Sequence, residues 1–461
     1  MPVSIASSSE RSVAPTPSPI PVRRPMLAER VAEAALRAPA GLRARIGRWS
    51  ARKGLLAHAL AVAPEDTYVL ARAGFFEQAG EYARAGEAAW LAAMAGLGRI
   101  DLLGEAGEDG SDLTPADRRW VAGLAAAWSP EAALDLLEPS MATERAACFL
   151  VHGEFEAAEA LLEPAVRSPE RSVLRAAAAA GMGDWKEARA LINAAFLARD
   201  LAVPLREEKD APISLGDFEP APGPATPGGP RVSIVVPARN AAATLPMALG
   251  SLLRQSWTNL DVIVVDDGSS DRTRAVAEGI GDPRVRVVAN HGPQGPSGAR
   301  NAGIGAATGE LIGFHDADDW AHPARIQRQV EAMQAGRAVA AVARHFRLAA
   351  DGFPVSPRVL PMVRLAPISL LARVEAVRAA GPWEDSPVGA DSEFLARLDL
   401  MFGRRNVIRL DQIHLVAGWD AKSISGAKPT GLASIEGRAA REAYERDWRA
   451  RHAARLREGA A

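Results

Sequence analysis

Two apolar runs in this chain lead straight into acidic clusters, and this pattern constrains the fold most. Residues 232–236 (Val-Ser-Ile-Val-Val) lead to Pro237-Ala-Arg-Asn240, and residues 262–265 (Val-Ile-Val-Val) lead to Asp266-Asp267-Gly-Ser-Ser270. A second half repeats the arrangement. Gly298-Ala-Arg-Asn-Ala-Gly303 precedes Leu311-Ile-Gly-Phe314, which runs into His315-Asp-Ala-Asp-Asp-Trp320. Short apolar runs bounded by turn residues read as strands buried on both faces, as in a parallel sheet. A strand that ends in carboxylates puts charge at the carboxyl edge of the sheet, where open α/β sheets bind ligands. Asp316 and Asp318, one residue apart, suit a divalent cation.

Helical and turn signals complete this half. Thr244 is placed to cap a helix carrying Leu245, Leu249, Leu252 and Leu253. The turn at residues 268–271 supplies another cap, and residues 284–288 read as a third strand. Alternating strands and helices with short connections predict a mostly parallel sheet. Gly303-Ile-Gly-Ala-Ala-Thr-Gly309 imitates a dinucleotide loop, but it does not follow a strand directly, which argues against a dehydrogenase.

The sequence before residue 206 has another character. Residues 26–205 are Ala-rich with helical period, and similar units recur. Gly153-Glu-Phe-Glu-Ala-Ala and Gly183-Asp-Trp-Lys-Glu-Ala each place an aromatic two residues after glycine. Phe155, Ala158 and Leu162 share one face, as do Trp185, Ala188 and Ile192, and the small residues let neighbouring helices approach. These units resemble degenerate tetratricopeptide-type repeats. They imply an all-α domain that either recruits a protein partner, self-associates, or simply packs on the α/β half.

Composition sets the remaining boundaries. Residues 1–25 are Ser/Pro-rich and read as a disordered arm without a secretory apolar core. The stretch 206–230 contains Pro220, Pro222, Pro224, Pro227 and Pro230 and reads as a linker between separable domains. Residues 231–430 form the α/β domain, and 431–461 a charged, solvated helix. Lys+Arg of 54 against Asp+Glu of 56 gives no support for nucleic-acid binding. No run reaches the ~18 apolar residues of a membrane span. The expected location is cytoplasmic, with peripheral attachment at the inner membrane face as an option. Cys148, the single cysteine, reads as a small apolar helix residue.

Taken together and in order, residues 232–240, 261–273 and 298–323 resemble the family 2 glycosyltransferases, which have the GT-A fold. The resemblance implies an inverting, metal-dependent transfer from a nucleotide-diphosphate sugar, a UDP-sugar first among the options, to a glycan, lipid-linked saccharide or protein. It places Pro237, Ala238 and Asn240 at the nucleotide and gives Asp266 or Asp267 a donor from the base or ribose. Arg300 lies near base and phosphates. Asp316-Ala-Asp318 matches the DXD signature, with Asp318 as leading ligand of Mg2+ or Mn2+, Asp316 on ribose or metal, and Asp319 in support. The segment Gly381-Pro-Trp-Glu-Asp-Ser-Pro-Val-Gly-Ala-Asp-Ser-Glu393 puts Asp391 at the position of the catalytic base, with Glu393 in reserve. Ala390 departs from the family, which has Glu there. Lys422 would touch the diphosphate, with Ser423 and Ser425. His315 and His414 read as packed strand histidines. The alternative is a degenerate, non-catalytic scaffold that acts through its helices.

Overall fold

The computed structural model describes residues 27–458, apart from 37, 53–54, 84–86, 104–112, 163–167, 207, 220–222, 358, 421–430 and 432–433. The N-terminal arm and Lys422, Ser423 and Ser425 therefore lie outside the described residues.

Residues 27–197 are all-helical, with twelve helices among the described residues. Several start as the sequence suggests. Ser129 and Ser168 precede prolines, and their hydroxyls accept the N–H of Ala132 and Arg171. The Asp184 side chain accepts from Glu187 N–H at the head of Trp185–Leu197. These caps satisfy otherwise orphaned donors. Ala158 and Ala188 are fully buried. The aromatic of one unit also rests on a glycine of a later helix: a Cβ at Gly181 would sit 2.3 Å from the Phe155 ring, and one at Gly96 would sit 2.5 Å from Phe76. Only glycine allows these approaches. Cys148 is buried, and burial pushes its thiol up to about 11, so it stays an inert thiol.

The second half is an α/β domain built on one mixed sheet. Its strands are β1 (Val232–Ala238), β2 (Leu260–Asp266), β3 (Val285–Ala289), β4 (Leu311–Phe314), β5 (Trp320–Ala321), β6 (Ala340–Ala349), β7 (Pro354–Val355), β8 (Arg364–Arg373) and β9 (Val407–Trp419). The order is β3-β2-β1-β4-β8-β6-β9-β5, with β7 added to β6. The first four strands are parallel. β8 then runs antiparallel to both β4 and β6, while β9 is parallel to β6. β1 lies between β2 and β4, so the chain winds away from it in both directions. Sheets of this kind bind ligands at the carboxyl edge of such a switch point, and Asp266 and the residues after Phe314 lie at that edge here.

Local details differ from expectation. Thr244 does not cap its helix; its hydroxyl donates to Ala241 C=O, 3.4 Å away. The glycines of the false dinucleotide loop begin inside the helix Pro296–Ala306, where a Cβ at Gly303 would meet Val235 at 2.2 Å. Gly303 thus serves helix-on-strand packing, while Gly309, beyond the helix, comes close to the Arg231 and Ser233 backbone.

The larger correction concerns the linker. Leu201, Leu205, Ile213 and Phe218 are buried in one hydrophobic cluster that also contains Phe196 of the last N-terminal helix and Trp320, Phe346 and Val416 of the sheet. Phe196 stacks on His322, and Phe218 packs 5.1 Å from Trp320. Burying each such aromatic contributes on the order of 2–3 kcal/mol. Arg189, buried, donates to Asp217 and to Ala211 C=O. Leu201, Leu205, Ile213 and Phe218 thus tie the helices to the sheet. Beyond the short 3-10 turn Leu215–Asp217 the described residues of 201–218 lack regular structure, yet these apolar side chains are buried. A second contact reaches the segment between β7 and β8: Glu170 accepts the backbone N–H of Met362 and Val363 at 2.7 and 2.8 Å.

The C-terminal helix Ile435–Glu458 is not a solvated tail. Trp448, His452 and Ala453 are buried, Arg449 donates to Ala73 C=O, and Tyr444 and Arg451 both donate to Glu384. Arg449 and Arg451 also pair with Glu445 and Asp447 on the same helix. Among the described residues, no helix is long and apolar enough to cross a membrane.

Candidate active site

The loops after β1 and β2 are pinned to each other. Asn240 adopts a left-handed backbone (φ 51°), and its side-chain oxygen accepts from Ser270 N–H at 2.8 Å. Ala238 C=O, on an otherwise buried residue, accepts from Asp267 N–H, and Pro237 is half-buried above it. The two aspartates separate in role. Asp267 is buried, with one oxygen accepting from Asn290 Nδ2 at 2.6 Å and the other from Gly295 N–H at 2.8 Å. Both oxygens are occupied in holding the loop before the helix Pro296–Ala306. Asp266 is half-exposed and accepts only from Ser269 N–H, which leaves capacity for a ligand. Of the two carboxylates, only Asp266 keeps an oxygen without a partner among the described residues.

Arg300 projects from that helix toward the acid loop. Its Nη2 donates to Asp316 Oδ1 at 2.9 Å, and its guanidinium lies 4.8 Å from the Trp383 ring centroid. The next residue, Asn301, exchanges two hydrogen bonds with the Trp383 backbone. Trp383 in turn stacks on Phe394 at 4.6 Å. One helix therefore ties the acid loop after β4 to the segment that carries Asp391.

The acid loop holds more negative charge than its protein partners balance. Burial and the neighbouring Asp316 push Asp318 up to about 6. Asp319 is raised well above the ordinary range by burial and by Asp318 and Asp316. Asp316 is engaged by Arg300, and Asp319 accepts Gly418 N–H at 3.2 Å. Asp318 forms no ion pair with a described residue. Carboxylates packed this closely, with Asp316 raising both Asp318 and Asp319, form an environment that a cation would relieve. Among the described residues, no group of three or more His, Cys, Asp or Glu side chains forms a complete metal cage. A cation here would take Asp318, with Asp316 reachable on release from Arg300, and complete its shell with phosphate oxygens and water, as Mg2+ commonly does. Asp319 is 5% exposed.

Beneath the loop lies a group the sequence did not reveal. Arg325 is fully buried and donates to Phe314 C=O at 2.7 Å, to Ser369 C=O and to His315 Nδ1. His315 therefore accepts at Nδ1 and donates from Nε2 to Asp319 C=O at 3.0 Å. This is a neutral tautomer, and burial holds its pKa down to about 3. The available signal was Arg325 and Gln329, polar residues at i and i+4 on the same face as Val330 and Met333. His414 is likewise buried, with Nε2 beside Gln412 Oε1, far below its ordinary pKa because of burial.

The candidate bases also separate. Asp391 is half-exposed at the first turn of Ala390–Phe402, and its Oδ1 accepts from Ser392 N–H at 2.9 Å. Glu393 is 1% exposed and accepts from Arg397 Nε at 3.0 Å, from Arg397 Nη2, and pairs with His452 Nε2 at 3.1 Å. It faces the C-terminal helix, so it is removed as a reserve base. Ala390 is 5% exposed within the apolar cluster around Trp383 and Phe394.

Comparison with known proteins agrees with this architecture. The profile described as Glycosyl transferase family 2 matches residues 233–366. These residues form a glycosyl transferase family 2 domain. The chain is 46% identical over 119 residues to the succinoglycan biosynthesis protein ExoO of Rhizobium meliloti, covering 26% of this chain and 34% of that protein. It is 35% identical over 102 residues, 22% of this chain and 40% of the relative, to the UDP-Glc:alpha-D-GlcNAc-diphosphoundecaprenol beta-1,3-glucosyltransferase WfgD of Escherichia coli. The matches thus span about a third of each relative's length. Among solved structures, the mannosyltransferase PcManGT of Pyrobaculum calidifontis, in complex with GDP-Man and Mn2+, aligns with TM-score 0.33 and 20% identity, over 51% of this chain and 76% of that one.

Proposed function

We propose that this chain is an inverting, cation-dependent glycosyltransferase that uses a nucleoside-diphosphate sugar, with a UDP-sugar as the first donor to test. The observation that carries the reading is the acid loop: a partner-poor Asp318 between Asp316 and Asp319, at the carboxyl edge beside Asp266 and Arg300. In this reading Asp266 accepts a hydrogen bond from the base or ribose. Arg300 releases Asp316 and turns its donors to the nucleotide. A bound Mg2+ or Mn2+ would neutralise the diphosphate that leaves. As the bond from the anomeric carbon to the diphosphate oxygen breaks, the acceptor hydroxyl bonds to the opposite face of that carbon. Its proton passes to Asp391. The names of the sequence relatives favour a lipid-linked saccharide or polysaccharide acceptor over a protein. The scaffold alternative has Ala390 in its favour, since a buried apolar position replaces an acid expected there.

The test is calorimetry of the full-length protein with UDP and GDP, with Mn2+ and again with EDTA, alongside thermal shift. Ligand that binds only the native state raises its melting point. Metal-dependent binding supports the reading. No binding of either nucleotide with metal present gives the scaffold reading its place.

A further inference from the structure

Arg347 belongs to none of the roles above, yet the fold brings it to the acid loop. It lies near the end of β6, in register with Ala417 of β9, and Leu348 pairs with Gly418. β5, immediately after the acid loop, pairs with the same part of β9, Trp320 opposite Val416. Gly418 N–H is the donor to Asp319. Two strand pairings thus hold Arg347 close enough for its charge to act on both Asp318 and Asp319.

Its bonding is unlike that of the other arginines nearby. Arg300 pairs with Asp316, Arg344 with Asp411, and Arg325 fills its donors with carbonyls and His315. Arg347 forms no ion pair within 4.0 Å of a described carboxylate; instead its guanidinium lies 5.4 Å from the centroid of the Trp419 ring. The side chain is half-buried. A guanidinium packed against an indole keeps its in-plane N–H donors for an anion, and that planar fork matches phosphate. A cation near two carboxylates without an ion pair to either suits a ligand carrying both kinds of partner, a phosphate beside a metal ion.

The sheet order indicates which phosphate. Asp266 ends β2, and the order runs β2-β1-β4-β8-β6, so Arg347 lies across the acid loop from the nucleoside side. We propose that Arg347, braced by Trp419, binds the distal phosphate of the nucleoside-diphosphate donor. The inference rests on the donor reading given above.

The experiment is calorimetry of the full-length protein with Mn2+ and UDP, UMP or uridine, or the guanosine series if wild type prefers it. Losing a charge-assisted phosphate contact should weaken diphosphate binding roughly tenfold or more in Arg347→Ala. Monophosphate and nucleoside affinities should change by less than about threefold, because they lack the phosphate concerned. Arg347→Lys, which keeps charge without the fork, should recover part of the loss, and Arg347→Gln covers the case in which the alanine variant is unfolded. Equal losses for UDP and UMP, or no loss for UDP, would overturn the assignment while leaving the donor reading intact. Wild type that binds no nucleoside diphosphate sinks both.

Discussion

Replacing Glu393 by Gln should separate stability from catalysis. Glu393 is 1% exposed, and its partners Arg397 and His452 are 7% and 2% exposed. Burial alone would raise the Glu393 pKa, but hydrogen bonds from His452 and Arg397 outweigh it and hold the value below the ordinary one. Removing one partner of a buried pair typically costs about 3–5 kcal/mol, because the remaining charge is left uncompensated. Gln keeps one acceptor oxygen, and Arg397 keeps its bonds to Ala380 and Pro382 carbonyls. The amide nitrogen, however, would face a guanidinium donor. The expected loss is therefore at the lower end, about 2–4 kcal/mol. For a chain of this length unfolding as one unit, that lowers the melting midpoint by roughly 2–4 °C. The sign with pH follows from the lowered pKa. The carboxylate's contribution is fully present above its unfolded value near 4.5 and disappears as pH falls through the lower folded value. The gap between wild type and Glu393→Gln should be constant near neutrality and close below about pH 4.5. Thermal unfolding over a pH series measures it, and turnover per folded molecule should stay near that of wild type. A variant of normal stability whose turnover collapses would show that Glu393 faces the reaction and that its buried pairing is misassigned.

Three other outcomes are expected. Asp391→Asn should lower turnover by roughly two to four orders of magnitude with UDP affinity almost unchanged, measured by product release and calorimetry. Asp318→Ala should abolish the metal dependence of nucleotide binding. Because Asp318 is raised to about 6 by burial and Asp316, its charge opposes folding at neutral pH, so the variant should match or exceed wild type in thermal midpoint. A chain shortened to begin at Gly229 would expose Trp320, His322 and Phe346, all buried against Phe196 or Phe218 in the whole protein; it should be insoluble or melt far lower, and a soluble fragment with native stability would restore the separable-domain view.

Local pattern carried the elements and the site's location. Apolar runs at residues 232–236, 262–265 and 311–314 became β1, β2 and β4 because a strand buried on both faces needs continuous apolar side chains, and this requirement is written in adjacent residues. The carboxylates that follow them had to fall at the carboxyl edge. The faces of Phe155–Leu161 and Trp185–Leu197 were equally legible from the helical period. What each side chain does at that edge was decided elsewhere. Asp266 and Asp267 are neighbours, and only the fold of residues 290–295 around Asp267 tells them apart. Asp391 and Glu393 lie within one turn, but His452, fifty-nine residues later, takes one of them out of the cleft. Phe218 sits in a proline-rich stretch with no periodicity, yet Trp320 and Phe196 bury it. Arg347 reads as one arginine on a strand until β5 and β9 bring Asp318 and Trp419 beside it. Periodicity records which face an element buries. The identity of the group that covers or charges that face depends on contacts between distant segments, and only tertiary packing creates them.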